Sequence, residues 1–382
     1  MTRPQKNKTV WAHRIFFPAA CLYATIVIPL SVYVMTSGNA WPLALVGQGH
    51  GFEMLFGYAL AVVAGYTLGP TEPRLLAALF SLWLIARIAQ YVAPFSVPAL
   101  LLSANFGLAL SWRIVPRFVV AKKWRNRVMM PLLGGLCVLP ASYLVAQQLG
   151  AFAQTRLVLH EAVLFFSLLM AFMGGRIIAP AIADEFGKQG RELDARVQPR
   201  VEVALIVLLI VAAPALVIPG GAAVAGTMAI LAGVLILFRL LRWQPWHCRT
   251  RTDLIGLCAG YTWLSIGLGL FGFSIASGGH VTSTLHVITI GALGTLTSGV
   301  MSLTHYQRLR RTPPPTALVI WMLATLTVAV LARVAANIPH WGNPILFLWL
   351  AALAWTLCFG TLALLFTAEL YRGWREPGRN RR

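Results

Sequence analysis

Apolar runs about 20 residues long, separated by short polar connectors, recur along the whole chain, and that is the length a helix needs to cross the hydrocarbon of a bilayer. Hydropathy predicts about twelve such helices, at 15–35, 51–69, 75–93, 98–115, 128–148, 157–180, 201–219, 222–241, 254–276, 284–304, 317–338 and 344–367. Neither an internal repeat nor a low-complexity tract interrupts them. The longest connector, 181–200, mixes charges of both signs and reads as a solvated cytoplasmic loop. The predicted fold is therefore all-α, a polytopic transmembrane helical bundle. It is read as one integral membrane domain over 1–382, with short basic tails at 1–14 and 369–382.

Charge orients the bundle. The connectors at 36–50, 94–97, 149–156, 220–221, 277–283 and 339–343 are almost free of charge, and the alternate ones are basic. All but Arg87, Arg156 and Arg333 of the 31 Lys and Arg fall on the same side. Basic loops are retained in the cytoplasm, so both termini are expected inside. Trp11, Trp124, Trp243, Trp246 and Trp374 are expected at the inner interface, with Trp41 and Trp341 at the outer one, as an aromatic belt. The start Met1–Arg14 followed by a long apolar run reads as a first span, not a cleaved signal.

Composition narrows the class. Of 382 residues 58% are hydrophobic and 11% charged, against about 25% charged in a soluble protein, and mean hydropathy is +0.74. The formal charge of +20 would point to nucleic acid in a soluble chain; placed in alternate loops it points to membrane orientation. Cys21, Cys137, Cys248, Cys258 and Cys358 show no CxxC spacing. They read as buried fillers, and covalent haem attachment through CxxCH is excluded.

Ionisable residues inside a membrane are costly, which makes them candidates for function. His50 and Glu53 lie at the outer end of the second span, His160 and Glu161 at that of the sixth, and His286 at that of the tenth. Three imidazoles from distant spans are thus expected in one outer layer, as metal or haem ligands. Arg87 and Arg333 are expected in the same layer, where a guanidinium suits a haem propionate. Glu53 and Glu161 either pair with Arg87, Arg333 or a histidine, or act as proton relays or as orienting partners of a ligating imidazole. His305 lies about 28 Å from His286 along its helix at 1.5 Å per residue, so it is either a ligand of a second site or an interfacial residue. His13, His247, His280 and His340 read as interfacial side chains, hydrogen-bonded or solvated. Gly65–Gly69, Gly174–Gly175 and Gly291–Gly294 fit close helix packing, or room for a planar cofactor.

Several motifs resemble the NnrS family of polytopic bacterial membrane proteins. His50-Gly-Phe-Glu-Met-Leu-Phe-Gly-Tyr58-Ala59 with Ala64-Gly65 is similar to its second-span signature. Leu285-His286-Val-Ile-Thr-Ile-Gly291-Ala-Leu-Gly294 is close to its His-Ala-Leu-Thr-x-Gly-Ala-x-Gly. Trp83–Arg87, Arg125–Arg127, Gly174–Arg176 with the two isoleucines after it, and Gly260–Trp263 before Gly267 also match. The chain departs at Phe52, where the family has a second His, and at Met301–Arg308, where it has Leu-Gly-His-Thr-Gly-Arg. The resemblance implies a multi-pass protein of the bacterial inner membrane with non-covalent haem b, with or without copper, that binds or handles nitric oxide in nitrosative stress or denitrification. Membrane lipid, nitric oxide, a quinone or other electron donor and a second copy of the chain are the partners considered; nucleic acid is not.

Two other readings stand beside it. A proton-coupled transporter would use Glu53, Glu161 and Arg87 as its path. A degenerate haem–copper oxidase or nitric oxide reductase is suggested by His on spans two, six and ten, although the seventh span has none. The sequence leaves enzymatic turnover open.

Overall fold

The computed structural model describes residues 9–120 and 124–375. The cations Arg3, Lys6, Lys8, Lys122 and Lys123 and the tail beyond 375 lie outside the described residues. Twelve long helical segments follow one another: α1 (His13–Ser37), α2 (49–67), α3 (Pro73–Val92), α4 (Val97–Ile114), α5 (Met129–Gln148), α6 (Phe152–Lys188), α7 (Pro199–Val217), α8 (Ala222–Arg242), α9 (Thr252–Ala276), α10 (Val281–Arg310), α11 (Thr316–Ala335) and α12 (Pro344–Arg375). Eleven are long and apolar enough to cross a bilayer. The exception is α2, in which His50, Glu53, four glycines and two tyrosines dilute the apolar run. The chain is a polytopic helical bundle, as its hydropathy predicts.

Local chemistry sets the ends. Pro occupies the first helical position of α3 and α7 and the second of α4, where its missing N–H costs no hydrogen bond. Gly38 ends α1 at φ +71°, in the left-handed region that glycine tolerates. Beyond α2, Arg117 donates to the Thr67 and Leu68 carbonyls at 3.1 and 2.8 Å, satisfying acceptors the helix end leaves over. A two-residue strand, Val10–Trp11, pairs antiparallel with Pro70–Thr71 in the same region.

Two expectations need correction. The connector 181–200 is not simply a solvated loop: α6 continues to Lys188, which bonds Asp184 one turn back at 2.7 Å. Beyond it Arg191 and Gln189 dock on His247, at 3.0 Å to Nδ1 and 3.1 Å to the carbonyl. Trp243 is not an interfacial belt residue; it is fully buried, tilted against Tyr261 at 5.3 Å between centroids.

Contacts group the chain into two compact units, residues 1–159 with 359–382, and 160–358. The first packs α1 on α2, α3 on α4 and α4 on α5; the second packs α8 on α9 and α9 on α10. Small residues let these backbones meet, as they do in membranes generally. A Cβ built on Gly107 would lie 2.2 Å from the Cys137 carbonyl oxygen, and one on Gly226 2.4 Å from that of Gly272. Because the obstacle is backbone, Gly107→Ala is expected to cost about 1–3 kcal/mol through overpacking, read as a lowered melting temperature in detergent. An unchanged melting temperature would show that α4 and α5 separate freely.

Filled glycine faces recur at the patches singled out above. Gly65 meets Phe16 and Phe17, Gly174 meets Tyr261, Gly175 meets Arg239, Gly291 meets Trp263, and Gly294 meets Trp355. The protein's own side chains occupy them. All five cysteines are buried and none forms a disulfide. Burial, then the nearby Glu185 carboxylate, raises the Cys248 thiol above its ordinary range.

Candidate functional site

In the first unit the polar residues gather where α2 changes its winding. After one α-helical turn at Gly49–Phe52 the chain runs as π-helix over Glu53–Ala59 and returns to α-helix at Leu60. A π segment disturbs the regular ladder of carbonyls and is characteristic of functional positions. Trp83 on α3 supplies a donor there, its indole N–H meeting the Gly57 carbonyl at 2.9 Å.

His50 sits in the turn that enters this segment. Its Nδ1 lies 2.9 Å from the Ser31 hydroxyl oxygen, and that hydroxyl donates its one proton to the Val27 carbonyl at 2.7 Å. Nδ1 must therefore carry the hydrogen and donate, which leaves the lone pair on Nε2. Glu53, three residues deeper, is fully buried. Its Oε2 accepts from Arg87 Nη1 at 2.7 Å and from the Tyr23 hydroxyl. Arg87 Nη2 donates to Ser103 at 2.6 Å, and its guanidinium lies over the Phe52 ring, 5.8 Å from the centroid. Of the pairings open to Glu53, the structure makes the one with Arg87.

The second unit repeats the local device. His286 ends the first turns of α10, and the π segment Val287–Gly294 begins at the next residue. Its Nδ1 lies 2.6 Å from the Thr282 carbonyl. A carbonyl only accepts, so this imidazole too carries its proton on Nδ1 and its lone pair on Nε2.

Helix α9 fixes the depth of its neighbours. Gly267 lies against the backbone of Ile288, and Phe271, one turn nearer the charge-poor end, meets the His160 ring edge-on at 6.0 Å. At 1.5 Å per residue His286 and His160 therefore flank α9 within about one turn of the same depth. Arg333 is half-buried in the last turn of α11, and Glu161 is half-buried on α6. Neither forms an ion pair within its unit among the described residues. His305 is buried near the basic end of α10, beside Tyr306. His280 and His340 are exposed, whereas His13 is buried against Trp11 and Phe17, which removes the solvated one of its two readings. Among the described residues no three of His, Cys, Asp and Glu are grouped closely enough to form a metal cluster by themselves.

Residues 9–373 match the family model described as NnrS protein. The chain belongs to the NnrS family. A search of curated proteins returns no match. NnrS membership supports, at the level of the family, a membrane protein connected with nitric oxide, haem and copper. The NnrS-like motifs around His50 and His286 fall on the His-and-π junctions. Where NnrS proteins have a second His, Phe52 packs in the core against Tyr143 and Phe56, with centroids at 4.7 and 5.2 Å.

One cluster of this NnrS chain escaped the reading of its sequence. Arg239 and Glu202, neither singled out in the sequence, form a buried pair at 2.6 Å. Arg239 also donates to the Ala171 carbonyl at 2.9 Å, and Tyr261 donates to the same carbonyl at 3.1 Å. The signal lay in periodicity: Ala225, Ala229, Ala232, Ile236 and Arg239 fall on one buried face of α8.

Proposed function

We propose that this protein holds non-covalent haem, with or without copper, and that His50 and His286 each supply a ligand for handling nitric oxide. The observation that carries the reading is common to both residues: an imidazole held by Nδ1 on a protein oxygen, at the entrance to a π-helical segment. Such an oxygen is the usual outer partner of a ligating histidine, because it orients the ring and raises the basicity of Nε2. The donor set suits the group in a second respect. Arg333, half-buried without an ion pair in its unit among the described residues, is a partner for a propionate, and His160 is a further imidazole at the depth of His286.

When bound, haem held by these histidines would supply an iron centre able to take nitric oxide. The chain's own part is to orient the imidazoles, to surround them with apolar helices that admit a small apolar gas, and to keep Glu53 fixed near His50.

Purified protein is expected to show a Soret band and to contain iron, with copper measured in the same elemental analysis. His50→Ala and His286→Ala are each expected to weaken the band. Ser31→Ala leaves the His50 ring in place but removes the acceptor for Nδ1, and is expected to lower metal retention about 10–100-fold. A colourless, metal-free wild-type protein that moves a solute across liposomes would replace this reading with the transporter.

A further inference from the structure

We propose that the first unit encloses a water site bounded by Glu53, Arg87 and Gln90. Gln90 is fully buried on α3, and neither its amide oxygen nor its amide nitrogen has a hydrogen-bond partner. The same holds for Glu53 Oε1 and Arg87 Nε, although both residues are otherwise engaged with each other. Buried polar atoms left without partners cost too much to persist in a dry interior.

Position brings these atoms together. Gln90 is three residues beyond Arg87 and shares its helical face, and Arg87 holds Glu53 directly. Because α2 and α3 are successive spans running in opposite directions, His50 and Gln90 each lie about 4.5 Å from the ion pair toward the same end, at 1.5 Å per residue.

The mixture of donors and acceptors selects the ligand. Oε1 of Glu53 and Oε1 of Gln90 accept, while Nε of Arg87 and Nε2 of Gln90 donate. An anion would face the Glu53 carboxylate, and a cation would face the guanidinium. Water satisfies both kinds of group, as it does in most polar interiors. The water site does not rest on the metal-ligand reading.

The test is X-ray radiolytic footprinting of the full-length protein in lipid nanodiscs, because radicals formed at bound water label its neighbours out of reach of bulk solvent. Trp83, which contacts Tyr23 and Gly57 beside the pair, and Trp355 in the second unit are each 3% exposed. Trp83 is expected to be oxidised well above Trp355, and less so in Gln90→Leu; equal labelling of the two indoles overturns the proposal. Thermal unfolding of Gln90→Leu gives an independent sign. If the amide is hydrated, its loss lowers the melting temperature, whereas removal of a dry, unpartnered amide raises it. A rise overturns the proposal. Labelling of Trp83 that persists in a protein without haem would leave the water site standing and remove the metal reading alone.

Discussion

Arg87→Met is expected to destabilise the protein by about 3–5 kcal/mol, the cost of stranding one member of a buried ion pair. The guanidinium is the main neutralising partner of Glu53, which is 0% exposed and receives otherwise only the Tyr23 hydroxyl on the same oxygen. Methionine fills much of the volume, so the loss is electrostatic and not a cavity. Ser103 would also lose the donor at 2.6 Å, although its hydroxyl keeps the Ala99 carbonyl at 3.1 Å. The double variant Glu53→Gln with Arg87→Met removes both charges and is expected to recover a large part of the loss. Thermal unfolding of the wild type, both single variants and the double variant measures the coupling. Additive losses would mean that the pair contributes no stability as a pair.

The second large effect is expected at Arg239, where the surroundings are more crowded. Arg239→Met strands Glu202, removes a donor from the Ala171 carbonyl and takes a cation from the Trp243 ring, 5.1 Å from its centroid. The expected cost is again about 3–5 kcal/mol. A companion substitution tests the geometry by another route. A Cβ on Gly175 would lie 2.1 Å from Arg239 Nη2, so Gly175→Ala pushes on a side chain held by its own network. It is expected to lower the melting temperature in the wild-type background and to have much less effect once Arg239 is methionine. Equal shifts in both backgrounds would show that Gly175 matters for α6 alone and not as the seat of the guanidinium.

These residues differ in how far the sequence disclosed them. Glu53 and Arg87 stand out because a charge in an apolar run is conspicuous, and the list of partners for Glu53 was short enough to contain the correct one. Arg239 and Glu202 sit near helix ends that face basic connectors, where a charge draws no notice. Only the small-residue face of α8 placed Arg239 inward, and Trp243 was assigned to an interface because nothing local to it announces a fully buried ring. Ser31 was invisible for another reason: a serine in a membrane helix commonly bonds its own preceding turn, as Ser31 does with Val27. Its second role, accepting from His50, arises from the packing of α1 on the entrance to α2.

What the chain determined by itself was its spans, the contrast between basic and charge-poor connectors and the two His-centred motifs, because length, apolarity and charge act locally and tolerate little rearrangement. The helix boundaries follow from them to within a few residues at most ends. The π segments at Glu53–Ala59 and Val287–Gly294, the proton held on Nδ1 of His50 and His286, and the partners of the buried charges were decided only by tertiary structure. Each depends on which atoms of another helix, or of another turn, come within about 3 Å, and hydropathy carries no information at that scale.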